Sequence, residues 1–314
     1  MTRLVLDVDT GTDDAIAIML AALDPRLELV AVTTVTGNVS VEHTTENTLR
    51  VLDHLGAEVP VHRGAAQPLL PTGAVRDHAD AGRRIHGEYL DLPEARSRAR
   101  AVLAAQFLVE AFDAASDLTL VATGPLTNVA TALLLDSGLA ARIPRLVLMG
   151  GGHIRANATA SAEFNIWADP EAARIVLRSG IRELTVVPLD ATHEALITGS
   201  DCDRLAALGT PAGTAAAPII RTRIAGYTAV QPPPIPDSAP VHDALCVAHL
   251  IEPAVIATRE AHVDVEVAGE LTRGRTVVDL RPIPAKPPNA RWAYGADRER
   301  FLSLLTAAFS RRSP

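Results

Sequence analysis

The residues best suited to chemistry form a short acidic string near the amino terminus. Asp7, Asp9, Asp13 and Asp14 all fall within the segment DVDTGTDD. Carboxylates held this close together disfavour one another's charge unless a cation lies between them. Two of the acids, Asp13 and Asp14, are also suited to cap and charge the start of a helix. Oxygen ligands with no neighbouring cysteine suit Ca²⁺ or Mg²⁺ better than zinc, so the string predicts a site for a hard divalent cation.

Other acidic motifs of this kind can be compared with the string. An EF-hand loop needs a glutamate at its twelfth position, where this sequence carries Ile18, so an EF-hand is excluded. A haloacid dehalogenase-type phosphatase also places an Asp-x-Asp string after its first strand, and would make Asp7 a nucleophile and Asp9 an acid/base. That hypothesis needs a helper lysine, and the only lysine is Lys286, in a proline-rich stretch near the carboxyl terminus. Phosphatase chemistry stays an alternative, and it predicts release of phosphate.

The elements that must position these acids alternate along the first two thirds of the chain. Short apolar, β-branched runs are followed by longer amphipathic stretches, which is typical of repeated βαβ units. Strands are predicted at Leu4–Val8, Leu27–Val35, Val59–Arg63, Leu118–Thr123, Arg145–Met149 and Leu184–Leu189. Helices are predicted at Asp14–Leu23, Val41–Leu55, Ala99–Ala115, Leu126–Leu135, Pro170–Arg178 and Asp201–Leu208.

The last third of the chain is more mixed in pattern. A helix is predicted at Ala212–Thr228, followed by a proline-rich loop at Gln231–Pro240 and a short helix at His242–Leu250. A β-rich stretch, Val255–Leu280, precedes a closing helix at Asp297–Phe309. No internal repeat or low-complexity linker separates these elements from the first part of the chain.

Together the elements predict an α/β fold with an open, Rossmann-like, mainly parallel sheet flanked by helices. A single domain spanning residues 1–314 is expected. Ligands in such sheets bind outside the carboxyl ends of the strands, and the acidic string directly follows the first strand. The polar segment Pro71–Arg98 is long for a loop within a compact domain, and we expect it to close over this site as a lid.

Composition limits the class of partner. The 314 residues carry a formal net charge of -8, so there is no overall basic field to attract nucleic acid or an anionic membrane, and a small-molecule substrate is expected. Two cysteines, Cys202 and Cys246, are too few for a disulfide scaffold and have no zinc-ligand spacing. The apolar run at the amino terminus reaches Asp7 after three residues, which is too short for a signal peptide. We therefore expect a cytoplasmic protein.

Several ordered motifs are similar to those of one family. The string DVDTGTDDA at residues 7–15 resembles the amino-terminal signature of the nucleoside hydrolases of the inosine-uridine preferring type, which cleave the N-glycosidic bond of ribonucleosides. Further resemblances are TTVTGN at residues 33–38, ATGPLTN at 122–128, LMGGG at 148–152, EFNIWADP at 163–170, VHDA at 241–244 and GRTVVD at 274–279. The match therefore extends over about residues 4–310.

The resemblance implies a set of roles for individual residues. Asp9, Asp14 and Asp243 would hold a Ca²⁺ together with the main-chain carbonyl of Thr123, and Asp9 would also act as general base toward water. His242 resembles the histidine that protonates the departing base in one subgroup of the family. The implied substrate-contacting residues are Asp13, Asn38, His86, Met149, Asn157, Glu163 and Asn165.

The implied reaction is Ca²⁺-dependent hydrolysis of ribonucleosides to free base and ribose, in nucleoside salvage. A transition state with oxocarbenium character needs an activated water, anionic charge near the sugar and help for the leaving base, and these residue types can supply all three. A relative that binds nucleosides without turnover stays a second alternative. Arg223 and Tyr227 lie on the predicted helix where the family selects its base, but purine or pyrimidine preference is left open. Family members are commonly dimers or tetramers, which implies a homo-oligomer.

Overall fold

A nine-stranded sheet forms the centre of the computed structural model, which describes residues 1–70, 85–283 and 285–312. Seven neighbouring strands are parallel and two at one edge complete a mixed sheet, in the order β10-β9-β11-β6-β5-β4-β1-β2-β3. Strands β7 and β8 pair separately as a small antiparallel sheet. The strands are β1 (Thr2–Val8), β2 (Leu27–Thr34), β3 (Val61–Arg63), β4 (Leu118–Ala122), β5 (Arg145–Met149), β6 (Glu183–Val187), β7 (Leu196–Thr198), β8 (Ser238–Pro240), β9 (Ile256–Val265), β10 (Thr276–Asp279) and β11 (Ala290–Ala296).

Helices cover both faces of the sheet and bury two apolar cores against it. Their order follows the βαβ pattern as far as β6, as expected for a parallel sheet with crossover helices. They are α1 (Thr12–Leu23), α2 (Val41–Leu55), α3 (Ala104–Ala114), α4 (Thr127–Leu135), α5 (Leu139–Arg142), α6 (Phe164–Ala168), α7 (Pro170–Leu177), α8 (Leu189–Thr192), α9 (Gly199–Ala206), α10 (Pro211–Val230), α11 (His242–Ile251) and α12 (Arg298–Phe309).

The order of the strands creates the place where a ligand can bind. β1 pairs with β2 on one side and with β4 on the other, so the chain reverses its direction of winding beside β1. Crevices at such switch points lie outside the carboxyl ends of the strands. The acidic string leaves β1 at this end, and the buried helix α1 begins within the string at Thr12.

The predicted fold class is confirmed, and the differences in its elements have local causes. The helix predicted from Ala99 begins only at Ala104, because Arg100 forms a parallel bridge with His62 beside β3. The predicted proline-rich loop ends in a short strand, since Ser238–Pro240 pairs with β7. The sequence analysis did not predict β11, which inserts between β6 and β9.

The predicted lid can be followed only in part. Residues 71–84 of Pro71–Arg98 lie outside the described residues. The remainder returns to the sheet, with Ile85 and Leu90 buried in the apolar core. Within the part of the chain that is described, no helix has both the length and the apolar character to cross a membrane.

Candidate active site

The acids at the end of β1 have different surroundings. Asp7 is buried, and its Oδ1 accepts hydrogen bonds from Thr33 Oγ1 at 2.6 Å and Asn128 Nδ2 at 2.7 Å. Asp9 lies one step further along, where its Oδ2 accepts the Asn38 backbone N–H at 2.7 Å and its carbonyl accepts Asn38 Nδ2 at 3.2 Å. Asp9 lines a cavity and Asp7 does not. The phosphatase alternative, which needs Asp7 as an accessible nucleophile, is therefore disfavoured.

Three further carboxylates converge beside Asp9. Asp13, Asp14 and Asp243 each present an oxygen atom, and these atoms lie within 4.8 Å of one another in a buried cluster. Burial and the charge of Asp13 raise the pKa of Asp14 to about 6. Burial, followed by repulsion from Asp13 and Asp14, raises the pKa of Asp243 well above its usual value. The pKa of Asp9 is also well raised, by burial and then by Asp14.

The cluster fits a hard divalent cation. Its donors are all oxygen atoms, and the cost of holding several buried carboxylates together falls when a cation binds among them. The sequence analysis grouped Asp9 with Asp14 and Asp243, whereas the group whose oxygen atoms lie within 4.8 Å of one another contains Asp13 instead. Asp13 Oδ1 is buried and has no hydrogen-bond partner within the described part of the chain, so it is available to a ligand.

The amino-terminal end of α1 contributes to this cluster. Asp14 Oδ2 accepts the Gly11 backbone N–H at 3.0 Å, and Asp14 Oδ1 accepts Thr123 Oγ1 at 2.8 Å. The helix dipole favours negative charge at this position. The Thr123 backbone N–H donates to the Asp7 carbonyl at 2.8 Å, which fixes Thr123 at the end of β4. Thr123 is therefore placed beside the acids by both its backbone and its side chain.

A glycine allows the close approach of Asp9. A methyl group added at Gly37 would lie 2.0 Å from Asp9 Oδ2, which is far inside contact distance. We expect Gly37→Ala to rotate the Asp9 carboxylate away from the Asn38 N–H and to lower turnover at least tenfold in a folded protein. Gly295→Ala is the matched control, because a methyl group there meets nothing within 4 Å. Kinetics and circular dichroism on both variants check this, and normal turnover in Gly37→Ala would contradict it.

Glu163 organises the opposite wall of the cavity. It caps α6, accepting the backbone N–H groups of Asn165 at 3.0 Å, Ile166 at 3.2 Å and Gly151 at 2.8 Å. Burial raises its pKa to about 7, although the three N–H groups act in the opposite direction. Gly151 adopts φ 78°, a left-handed conformation that favours glycine. The carboxylate is thus fixed by the turn after β5 and by the start of α6.

The Asn165 side chain joins that wall to the acidic cluster. Its Nδ2 donates to the Thr123 carbonyl at 2.7 Å and to the Met149 carbonyl at 3.2 Å. Nearby, Asn157 Oδ1 accepts the backbone N–H of Phe164 at 2.8 Å. Polar groups from β4, from β5 and from the segment after β5 therefore meet at one place.

The cavity enclosed by these residues has a volume of about 160 Å³. The structure brings the residues predicted from the sequence together around it, with Asp14 directly behind the lining. The lining residues that were predicted are Asp9, Asp13, Asn38, Thr123, Met149, Asn157, Glu163, Asn165, His86, His242 and Asp243.

A larger cavity lies elsewhere and lacks comparable chemistry. It has a volume of about 710 Å³ and is lined by Arg145 and Glu183, the first residues of β5 and β6. It therefore lies at the amino ends of the strands. Arg145 and Glu183 pair with each other at 3.0 Å on a solvent-exposed surface. The smaller cavity holds the buried carboxylates and is the better candidate for an active site.

Two histidines line one end of the cavity. The Thr12 backbone N–H donates to His86 Nδ1 at 3.1 Å, so the neutral ring carries its proton on Nε2. His242 has both ring nitrogens engaged, Nδ1 with Thr192 Oγ1 and Nε2 with Tyr227 Oη, each at 2.6 Å. Burial lowers the pKa of His86 to about 4 and holds that of His242 well below its usual value. Burial therefore disfavours the protonated form of both rings, and a ring in that form is a stronger proton donor.

Two residues of α10 complete this end, and the sequence analysis gave neither an individual role. Tyr227 and Arg223 are buried on the same face of α10, one helical turn apart. Arg223 forms an ion pair with Asp13, with 2.7 Å between Nη2 and Oδ2. A charged residue inside a predicted apolar helix was the available signal, since buried arginines are rare unless they are paired.

The chain resembles known proteins over almost its whole length. The sequence profile described as "Inosine-uridine preferring nucleoside hydrolase" matches residues 4–303. A "Pyrimidine-specific ribonucleoside hydrolase RihA" from Shewanella sp. (strain MR-7) is 38% identical over 317 residues, covering 99% of this chain and 97% of the relative. A "Pyrimidine-specific ribonucleoside hydrolase RihB" from Escherichia coli (strain SE11) is 38% identical over 312 residues, covering 96% of this chain and 95% of the relative.

Solved structures agree with this assignment. The "Purine-Preferring Ribonucleoside Hydrolase from Gardnerella vaginalis" superposes with a TM-score of 0.90 at 32% sequence identity, covering 98% of each chain. The profile and the two relatives match the sequence over nearly its full length, and the solved structure also matches the fold. The chain therefore belongs to the inosine-uridine preferring nucleoside hydrolase family, whose members are N-glycosyl hydrolases of ribonucleosides.

Proposed function

We propose that this protein hydrolyses the N-glycosidic bond of ribonucleosides, pyrimidine ribonucleosides foremost, to free base and ribose. The observation that carries the proposal is the buried cluster of Asp9, Asp13, Asp14 and Asp243 at one wall of a cavity whose other walls are rich in amide and carboxylate groups. The preference for pyrimidines rests on the names of the two relatives that are 38% identical.

The acidic cluster provides the water-activating half of the site. Asp9, Asp14 and Asp243, with the Thr123 carbonyl, would hold a Ca²⁺, and Asp13 is close enough to join or replace one of them. When bound, the ion supplies positive charge that neutralises the carboxylates and lowers the pKa of a coordinated water. Asp9 takes the proton from the attacking water, because it lines the cavity and is oriented by Asn38.

Amide and carboxylate groups around the cavity are proposed to bind and orient the ribose. Their side-chain oxygens and amide groups line the cavity, and the sugar hydroxyls are proposed to exchange hydrogen bonds with Asp13, Asn38, Asn157, Glu163 and Asn165. Glu163 and Asn165 are themselves held by backbone groups, so they are positioned before substrate arrives. Anionic charge next to the ring also stabilises the oxocarbenium-like transition state.

The two histidines and Tyr227 face the base. His242 is proposed to protonate the departing base, and its Nε2 lies 2.6 Å from Tyr227 Oη, so the hydroxyl can carry the proton to the base. His86 is proposed to contact the base through the edge of its ring that faces the cavity. Without protonation, a pyrimidine would have to leave as an anion, which raises the barrier to bond breaking.

Replacing His242 is expected to lower the turnover of natural substrates more than that of a substrate with an activated leaving group. His242→Ala should lower turnover of uridine about 10²-fold or more, because general acid catalysis is lost. Nitrophenyl riboside needs no proton on its leaving group and should lose less than tenfold. His249→Ala is a matched control on the same helix, since its Nδ1 bonds the Pro253 carbonyl and its side chain lines the other, larger cavity. Equal losses for both substrates would indicate that His242 acts in binding.

A single assay tests the proposed function. Reducing-sugar release is measured from uridine, cytidine, inosine, adenosine and guanosine, with phosphate release from nucleotides measured in parallel. Free ribose and base, with pyrimidines cleaved fastest, are expected. Nucleoside binding without ribose release would support the non-catalytic alternative, and phosphate release would support the phosphatase alternative.

The cellular setting is proposed on the same basis. Hydrolysis of unphosphorylated nucleosides fits a role in nucleoside salvage in the cytoplasm, and the acidic net charge gives no electrostatic reason to bind nucleic acid. Assembly into a dimer or tetramer stays a prediction, which sedimentation analysis of the purified protein tests.

A further inference from the structure

Arg223 is a buried cation with no role in the proposed mechanism. Its side chain is 2% exposed and lines the cavity beside Tyr227 and His242. Its guanidinium carbon lies 5.0 Å from the centre of the Tyr227 ring. An unpaired buried charge would be very costly, so the contacts of Arg223 need to be accounted for.

Three contacts hold the guanidinium in one orientation. Nε donates to the Pro240 carbonyl at 2.5 Å, Nη1 donates to Thr12 Oγ1 at 3.2 Å, and Nη2 lies 2.7 Å from Asp13 Oδ2. These partners come from β8 and from the start of α1, so the group bridges two separate parts of the fold. A guanidinium has five N–H groups, and these contacts engage three of them.

The position of Arg223 relative to the scissile bond follows from its partner. Asp13 is a proposed ribose ligand, and Arg223 contacts it directly while also contacting the ring of Tyr227 at the base end. The guanidinium therefore lies between a residue proposed to bind the ribose and a residue proposed to face the base. A nucleoside bound in the proposed way would have its glycosidic bond in this region. In a pyrimidine nucleoside, the carbonyl oxygen O2 is attached next to the glycosidic nitrogen.

We propose that Arg223 contacts O2 of the pyrimidine base and stabilises the negative charge that develops there as the glycosidic bond breaks. This inference rests on the proposed function and adds a catalytic residue to it. The C1′–N bond breaks with its electron pair passing to the base, where it is shared with O2. Water forms the new bond to C1′ and gives its proton to Asp9, and the base takes up a proton that His242 gives by way of Tyr227.

The neighbouring groups make Arg223 the suitable residue for this task. Both ring nitrogens of His242 are engaged by Thr192 and Tyr227, and His86 Nδ1 is engaged by Thr12. Arg223 keeps a full positive charge and has no acceptor atom, so it favours an oxygen that gains charge in the transition state over an amino group. Purines carry no carbonyl next to the glycosidic nitrogen, so the contact also favours pyrimidines.

The test compares substrates within each variant. Arg223→Gln and Arg223→Lys are assayed with uridine, inosine and nitrophenyl riboside. Loss of the Asp13 ion pair affects ribose binding and so lowers the rate for all three substrates alike. Loss of the base contact should lower kcat for uridine by a further 10²-fold or so, the usual cost of removing one oxyanion donor. Arg223→Lys should recover part of that loss, because it restores the charge.

Control measurements separate the possible results. Arg221→Gln changes an exposed arginine on the same helix that pairs with Asp203, and should leave all rates unchanged. Circular dichroism shows whether each variant is folded, and if Arg223→Gln is unfolded the Arg223→Lys variant alone carries the comparison. Equal losses on uridine and nitrophenyl riboside would overturn the proposal and leave Arg223 a support for Asp13. If the wild-type protein releases no ribose, the proposed function itself fails.

Discussion

Asp9→Ala is expected to lower the turnover of uridine by about 10³-fold or more while the protein stays folded. A carboxylate that takes a proton from water contributes 10²–10⁴-fold in typical enzymes, and Asp9 is in addition a proposed cation ligand. The folded state should not suffer, because burial and the charge of Asp14 raise the pKa of Asp9 well above its usual value. Removing this crowded carboxylate relieves repulsion, so the metal-free variant should melt no earlier than the metal-free wild type.

Asp7→Asn is the matched control for Asp9→Ala. Asp7 stands two positions earlier and is equally buried, yet it bonds Thr33 and Asn128 and does not line the cavity. Its replacement should leave turnover within about tenfold, apart from losses due to unfolding. Initial rates and thermal melts of both variants check this. Wild-type turnover in Asp9→Ala would remove Asp9 from the mechanism, and a dead but fully stable Asp7→Asn would favour the phosphatase alternative.

The sequence predicted the parallel part of the sheet well because that part is encoded locally. The strand predicted at Leu4–Val8 is apolar except for Asp7, and a strand buried on both faces needs such a largely apolar run. The helix Val41–Leu55 was predicted with the bounds observed, since its apolar face is regular and Gly56 ends it in a left-handed conformation. In these elements propensity, pattern and end signals agree.

Elements decided by distant pairing were predicted less well. Strand β11 contains several small residues with weak β propensity, and it becomes a strand because β6 and β9 both offer it hydrogen bonds. The short helix α6 depends on the Glu163 cap, whose carboxylate also bonds Gly151 across the preceding loop. Such contacts depend on tertiary structure, so the local sequence pattern does not predict them.

The same distinction applies to the site. Asp9 and Asp14 could be predicted because they follow a confident strand and lie at the carboxyl edge of the sheet. The ion pair of Arg223 with Asp13 could not, because it joins α10 to the start of α1; the neighbouring bond to Thr12 spans 211 positions. The sequence placed Arg223 on the right helix, and only the fold shows which residue it faces.

Removal of the cation is expected to abolish turnover and to lower stability together. Dialysis against a chelator should reduce ribose release to background, and added Ca²⁺ should restore it. A ligand that binds only the folded state stabilises it by about 2.7 kcal/mol at a concentration 100 times its dissociation constant, so Ca²⁺ should raise the melting temperature of the chelated protein. Asp243→Ala removes one carboxylate of the cluster and should weaken this rise. Asp279→Ala removes an arginine-paired carboxylate from the end of strand β10 as the control and should not.

The pH dependence of that stabilisation follows from the direction of the pKa shifts. The pKa of Asp14 is raised to about 6 in the folded, metal-free protein, above its ordinary value of 3.8. The folded state therefore binds more protons than the unfolded chain between these values, so the metal-free protein gains stability as the pH falls from about 6 toward 4. The same protons compete with Ca²⁺, so its effect on the melting temperature should shrink over that interval. If adding Ca²⁺ at pH 7.5 leaves the melting temperature of the chelated wild type unchanged, cation binding by these carboxylates is contradicted.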